Sequence, residues 1–189
     1  MAVIKERFVL DAEQSVLVVV DVQERLVKAM DEQVLAQLIS NTGLLLDSAT
    51  ELQIPVLFTE QYKKGLGGTI PELLEKAADA PRFEKMSFSC CGGDDFVASL
   101  KATGRKQVVV AGMEAHVCVL QTVLDLLDAG FMVHLVTDAV MSRAKHNWKN
   151  AQQIVRQAGG VTSTAETVIF QWLKIAGTDS FKKISKLLR

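Results

Sequence analysis

Three residues, far apart in the chain, have side chains suited to a single reaction. Cys118 lies in the stretch Ala111-Gly112-Met113-Glu114-Ala115-His116-Val117-Cys118-Val119-Leu120-Gln121-Thr122, after the apolar run Val108 to Val110 and before an amphipathic helical pattern. A sulfur at such a strand-to-helix turn sits close to the unpaired N–H groups of a first helical turn. Their partial positive charge favours thiolate over thiol. Ala111 and Gly112 are small and allow a sharp bend there. Asp21 closes the apolar run Val16 to Val20. A carboxylate at the end of a buried strand is partly desolvated, which raises its affinity for a proton and suits it to act as a base. Lys85, within Phe83-Glu84-Lys85-Met86-Ser87-Phe88-Ser89, can supply the positive charge that lowers a thiol pKa and holds an aspartate in place. Singly, each has a plainer explanation. Asp21 serves equally as a helix N-cap, Lys85 as a solvated surface lysine, and Cys118 as a small buried hydrophobe.

The elements that must bring them together follow from the hydrophobic pattern. Val16 to Val20 is continuously apolar, as in strands buried on both faces of a parallel sheet. Helical spacing covers Val34 to Leu52, and Pro55 opens a short strand, Val56 to Phe58. Gln61 to Thr69 reads as a glycine-bearing loop, a mobile lid or an oligomer contact. Pro71 to Ala77 reads as a short helix begun by proline. Arg82 to Ser89 is extended, and Asp94 and Asp95 start a helix that runs to Thr103. Then come a strand over Gln107 to Ala111, a helix over Val117 to Ala129 and a strand over Met132 to Thr137. A helix over Asn147 to Ala158, a strand over Val161 to Ser163, and helices over Ala165 to Ile175 and Phe181 to Leu188 complete the pattern. Strands alternating with helices predict an α/β domain with a parallel sheet covered on both faces. Sites in such sheets gather beyond the carboxyl ends of the strands, the rim shared by Asp21 and Cys118.

Composition narrows the function. The 189 residues suit one domain, 1–189, with a sizeable core. Twenty-one Lys and Arg balance twenty-two Asp and Glu, which predicts neither a nucleic-acid nor an anionic-membrane partner. Three cysteines make no disulfide framework, and the first ten residues lack the long apolar core of a signal peptide. A cytoplasmic location is expected.

Taken together, VLVVVDVQ around Asp21, FEKMSFS around Lys85 and VVVAGMEAHVCVLQTVLDLLDAG around Cys118 resemble the isochorismatase-like cysteine hydrolases. VHLVTDAVMSR and TSTAETVIFQWL extend the likeness over nearly the whole chain. The resemblance implies a three-layer α/β/α fold with a mostly parallel, six-stranded, Rossmann-like sheet, and a homo-oligomer, a dimer or larger. It implies a catalytic triad of Asp21, Lys85 and Cys118, and a cis peptide between Met113 and Glu114. The N–H groups of Glu114 and Cys118 would then form an oxyanion hole. The implied reaction is hydrolysis of a small amide or related acyl compound through a Cys118 thioester, with the three side-chain ends within about 3–5 Å of one another. A depressed Cys118 pKa is expected.

The departures are informative. Metal-dependent relatives carry an aspartate and histidines after the second strand. Here that loop, TEQYKKGLG, has neither, and the histidines stand at positions 116, 134 and 146. No metal and no cofactor are therefore expected. TEQYKKGLG, FSCCGG and FKKISKLL resemble a branch of unclear substrate, some of whose members are labelled ribonucleases; balanced charge and scattered aromatics argue against RNA here. Gln23, Tyr62, Phe88 and His116 are candidate pocket residues, and His116 is a lesser candidate base. His134 reads as a core or interface histidine, and Cys90 and Cys91 as free thiols. Phe131, Trp148, Phe170 and Trp172 are candidates for an oligomer interface. A non-catalytic scaffold oligomer is the competing class. It gives no reason for an aspartate, a lysine and a cysteine on one rim.

Overall fold

The computed structural model describes residues 4–188. In chain order the elements are α1 (Ile4–Phe8), β1 (Ser15–Val20), α2 (Glu32–Glu51), β2 (Val56–Gln61), α3 (Lys63–Leu66), α4 (Pro71–Leu74), β3 (Arg82–Lys85) and α5 (Asp94–Ala102). They continue with β4 (Gln107–Met113), α6 (Leu120–Asp128), β5 (Met132–Met141), α7 (Lys145–Gln157), β6 (Val161–Ser163), α8 (Ala165–Leu173) and α9 (Asp179–Ile184). The side chain of Asp94, expected to favour the start of α5, lies outside the described residues. The strands form one six-stranded sheet in the order β3-β2-β1-β4-β5-β6, and every neighbouring pair is parallel. The expected three-layer parallel fold is therefore observed.

The residues of β1 show how the layers are made. All six are buried. Leu17 and Val19 pack with Leu38, Leu45 and Leu46 of α2 and with Val168 and Ile169 of α8. Val16, Val18 and Val20 pack on the other face with Phe96 of α5, Val123 of α6 and Val155 of α7. Each such aliphatic side chain contributes about 1.5–3 kcal/mol on burial. Asp31 caps α2, its carboxylate accepting from the Gln33 and Val34 N–H groups at 3.1 Å.

The chain winds one way from β1 to β3 and the other way from β4 to β6. The crevice where the order reverses lies between the carboxyl ends of β1 and β4. Gly112 is what allows these strands to meet there. Its φ is +121°, and a Cβ would sit 2.0 Å from the Val20 carbonyl oxygen.

At the opposite rim, the first residues are tied to the strand beginnings. The Gln107 side chain accepts from the Asp11 N–H at 2.7 Å and donates to the carbonyls of Glu6 and Val9. Gln171 receives the Leu10 N–H, and His134 bonds the Arg7 carbonyl.

Several boundaries differ from the sequence expectation. Strand β2 runs three residues beyond Phe58, so Thr59, Glu60 and Gln61 are sheet residues. Strand β5 continues to Met141. A π turn, Ala115–Val119, replaces the start expected for the helix at Val117. The helix α1 has no counterpart in the pattern reading, and α9 ends at Ile184. The glycine-bearing loop is not free to act as a lid. Gln23 Nε2 donates to the Gly67 carbonyl at 2.7 Å, and the Glu24 and Arg25 N–H groups donate to Gly68 and Leu66. Buried Glu60 accepts from the Thr69 N–H and hydroxyl and pairs with Lys63. Burial alone would raise the Glu60 pKa, but these partners hold it below the usual range. Trp172 is core, its indole N–H bonded to Ser15 Oγ, so it leaves the set of interface candidates.

Candidate active site

Asp21 occupies the first position after β1 in the left-handed region, with φ +50°. Aspartate is among the few non-glycine residues that tolerate this conformation, and such residues concentrate at functional sites. The Asp21 N–H donates to the Thr59 carbonyl at 3.1 Å. Its carboxylate turns inward, with Oδ1 accepting from Thr59 Oγ1 at 2.7 Å and Oδ2 from Lys85 Nζ at 2.7 Å. The side chains of the ion pair are 0% and 3% exposed. Lys85 Nζ also donates to Gln61 Oε1 at 2.7 Å and to the Phe88 and Ser87 carbonyls at 2.9 and 3.3 Å. Its charge is thus fully coordinated by the protein, and its first role is to hold the Asp21 carboxylate. The Cys118 thiol, on the π turn, lies within electrostatic reach of the Asp21 carboxylate. The structure therefore brings Asp21, Lys85 and Cys118 to one point at the crevice between β1 and β4.

The electrostatics overturn the expected low thiol pKa. Burial, reinforced by the Asp21 carboxylate, pushes the Cys118 thiol up to about 12. Lys85 opposes this with a smaller effect because its ammonium faces Asp21. The resting sulfur is a thiol beside a carboxylate.

The Met113–Glu114 peptide is cis, as the resemblance implied. The Glu114 carboxylate is fixed by the Arg143 N–H at 2.9 Å and by the Arg143 guanidinium at 3.1–3.2 Å. His116 is directed elsewhere: Nδ1 meets Ser142 Oγ at 2.9 Å, and Nε2 accepts from Asn147 Nδ2 at 3.2 Å. Both ring nitrogens are engaged, so the secondary reading of His116 as a base has no support.

Among the other candidates, Gln23 is fully buried. Its amide donates to the Gln61 and Gly67 carbonyls and accepts from the Gln61 N–H. It braces β2 and the following loop and offers nothing to a pocket, contrary to expectation. Tyr62 and Phe88 are exposed and adjoin Lys85, whose Nζ bonds the Phe88 carbonyl. The Tyr62 N–H bonds the Lys85 carbonyl, and the Tyr62 ring packs where a Cβ on Gly65 would stand. Tyr62, Met86 and Phe88 are 48%, 72% and 54% exposed, and Tyr62 and Met86 line a shallow cavity with Lys85.

Sequence reasoning missed Thr59, Gln61 and Cys90. Thr59 and Gln61 share one face of β2, opposite Asp21 and Lys85. Cys90 is buried, and its sulfur lies 3.5 Å from Thr59 Oγ1. Among the described residues, no group of three or more His, Cys, Asp or Glu side chains is placed to hold a metal ion.

Known proteins resemble this chain over most of its length. A secreted isochorismatase effector, Isc1, of Phytophthora sojae is 41% identical over 179 residues, covering 93% of this chain and 84% of its own length. The MAR1 ribonuclease structure from Caenorhabditis elegans superposes with a TM-score of 0.89 at 38% identity, covering 95% of this chain and 91% of that one. Two YcaC structures superpose at 27% and 26% identity, with TM-scores of 0.89 and 0.88. The one from Pseudomonas aeruginosa contains hexane-2,5-diol and covalent acrylamide; the one from Escherichia coli is described as an octameric hydrolase of unknown specificity. Each covers 95% of this chain, and the coverage of those chains is 91% and 90%. The isochorismatase domain family matches residues 15–167, a span that runs from the first residue of β1 into α8 and includes Asp21, Lys85 and Cys118. The chain, a hydrolase in its family relationship, belongs to the isochorismatase family.

Proposed function

We propose that the protein is a cysteine hydrolase of small, uncharged amides or related acyl compounds, with Cys118 as nucleophile, Asp21 as base and Lys85 as the group that orients Asp21. The observation that carries this reading is a buried carboxylate, its two oxygens held at 2.7 Å by Lys85 and Thr59, beside the Cys118 thiol on which it acts. A thiol pushed up to about 12 is a poor nucleophile until a base removes its proton. Asp21 is that base. The sulfur attacks the carbonyl carbon as its proton passes to Asp21, and the Glu114 and Cys118 N–H groups receive the oxyanion. The C–N bond then breaks, and Asp21 returns the proton to the leaving amine. Water, deprotonated by Asp21, attacks the thioester, and the proton goes back to sulfur. No metal or cofactor takes part. Lys85 is fully engaged, which leaves it nothing for a substrate anion, and the exposed Tyr62, Met86 and Phe88 suit an apolar flank.

Acrylamide tests the reading directly. Its addition forms a C–S bond at the terminal carbon, opens the double bond and moves the Cys118 proton through Asp21 to the α-carbon. Mass spectrometry is expected to find one adduct, on Cys118, lost in Asp21→Asn and unaffected by chelators. Addition at Cys91 alone, or none, defeats the proposal. A panel of amides assayed for a Cys118 acyl adduct identifies the substrate. RNA of any sequence is expected to survive incubation, despite the name carried by the Caenorhabditis elegans relative. The octameric relative supports a homo-oligomer here, and sedimentation near the 20.7 kDa monomer mass would refute it. The free thiols Cys90, Cys91 and Cys118 support a reducing, cytoplasmic compartment, checked by cell fractionation.

A further inference from the structure

The Asp21 carboxylate acts on two buried thiols, and the proposed reaction uses one of them. One is Cys118, whose thiol the carboxylate influences from across the crevice. Cys90 reaches it through Thr59: the Cys90 sulfur donates to Thr59 Oγ1 at 3.5 Å, and Thr59 Oγ1 donates to Asp21 Oδ1 at 2.7 Å. The Cys90 N–H donates to Thr122 Oγ1 at 2.9 Å, and Thr122 Oγ1 donates to the Cys118 carbonyl at 2.7 Å. Thr59, Cys90 and Thr122 thus link the Asp21 carboxylate to the Cys118 carbonyl by a continuous chain of contacts. Thr59, Cys90 and Thr122 are each nearly or fully buried.

As partners of the Asp21 carboxylate, Lys85 and Thr59 are not equivalent. An ammonium only donates, so Asp21 Oδ2 cannot direct a proton at Lys85. A hydroxyl donates or accepts according to its rotation. We propose that Thr59 is a positioning residue for Asp21, whose hydroxyl donates to the ionised carboxylate and turns to accept when Asp21 carries the Cys118 proton. Cys90 completes the device. Its S–H feeds Thr59 in the first state, and its sulfur receives the Thr59 hydroxyl in the second. This rests on Asp21 being the base for Cys118.

The proposal has a signature in pH. The groups facing the Asp21 carboxylate are Lys85 from β3, Cys118 from the π turn, and Cys90, by way of Thr59, from the turn before α5. A cavity of about 240 Å³ behind Thr59 carries Arg82, Glu84 and Asp95. Losing the Thr59 hydroxyl removes a donor to the anion, which favours the protonated carboxylate. In Thr59→Val the acidic limb of the rate of acrylamide addition to Cys118 is expected to move up by about one pH unit, with a roughly tenfold lower rate on that limb. The two proteins are expected to converge on the alkaline side. Thr59→Ser restores the wild-type profile, and Cys90→Ala shows a smaller shift in the same direction.

Rates are measured by mass spectrometry over about pH 5 to 9. A Thr59→Val profile that superposes on the wild type overturns the role of Thr59 and leaves the nucleophile assignment standing. A uniform loss at every pH that Thr59→Ser fails to restore also overturns it, because that is the mark of a packing defect. Absence of a Cys118 adduct in the wild type is a different failure, that of the proposed function itself. If circular dichroism shows Thr59→Val unfolded, Cys90→Ala carries the test, and an unshifted profile there overturns the proposal.

Discussion

At the scale of residues, Lys85 and Asp21 illustrate how a buried ion pair can set function at the expense of stability. Neither is accessible to water in any useful sense, and each loses hydration on folding. Removing one partner leaves the other charge buried and uncompensated. Lys85→Met is therefore expected to lose about 3–5 kcal/mol in urea unfolding, and Asp21→Asn/Lys85→Met to recover much of it while remaining inert toward acrylamide. Recovery of stability without recovery of reactivity separates the two roles of the pair. A double variant no more stable than Lys85→Met would contradict this account. Cys118→Ala removes one largely buried sulfur, so it should fold with a loss of only about 1 kcal/mol, and should take up no acrylamide at that position.

At the scale of elements, the carboxyl ends of the strands decide what chemistry is possible, and they are also what the sequence conceals best. The buried strands were readable because Val16 to Val20 and Val108 to Val110 are continuously apolar, and a strand covered on both faces needs that pattern. Asp21 and Cys118 were readable because they interrupt or directly follow such runs. Thr59 and Gln61 were not. They stand in a polar triplet, Thr59-Glu60-Gln61, that looks like a loop, and its polar groups are satisfied by partners distant in the pattern, among them Asp21, Gln23, Lys85 and Thr69. The Cys118 pKa was misjudged for a related reason. The turn geometry suggested a cationic surrounding, but the nearest charge on the sulfur is an anion, and the lysine faces the aspartate. Tertiary partners, absent from any local pattern, decided both. The element-scale prediction concerns the crossing of β1 and β4. Gly112→Ala places a methyl 2.0 Å from the Val20 carbonyl oxygen at φ +121°. A loss above about 3 kcal/mol, or failure to accumulate as folded protein, is expected from thermal or urea unfolding. Wild-type stability in that variant would mean the strands are not this close.

At the scale of the whole molecule, the thiols link stability to alkaline pH. Burial is the leading cause in each case, and it pushes Cys90 and Cys118 from an ordinary value near 9 to about 12, and Cys91 to about 11. Above pH 9 the unfolded chain has released protons that the folded chain retains. Stability therefore falls as pH rises, being fully present below about 9 and lost progressively toward 11–12. Melting temperatures in reductant are expected to drop more steeply above pH 9 in the wild type than in Cys90→Ala. Parallel curves would show that Cys90 is not protonated in the folded state. A different consequence follows from the first residues of the chain, which are laced to the strand beginnings by Gln107, Gln171 and His134. Asp21 and Cys118 open at the other end of the strands. A tether attached ahead of α1 therefore leaves the molecule from its rear. On a sensor chip or bead coupled through the amino terminus, the molecule is expected to present Cys118, the proposed nucleophile, outward to the flowing solution.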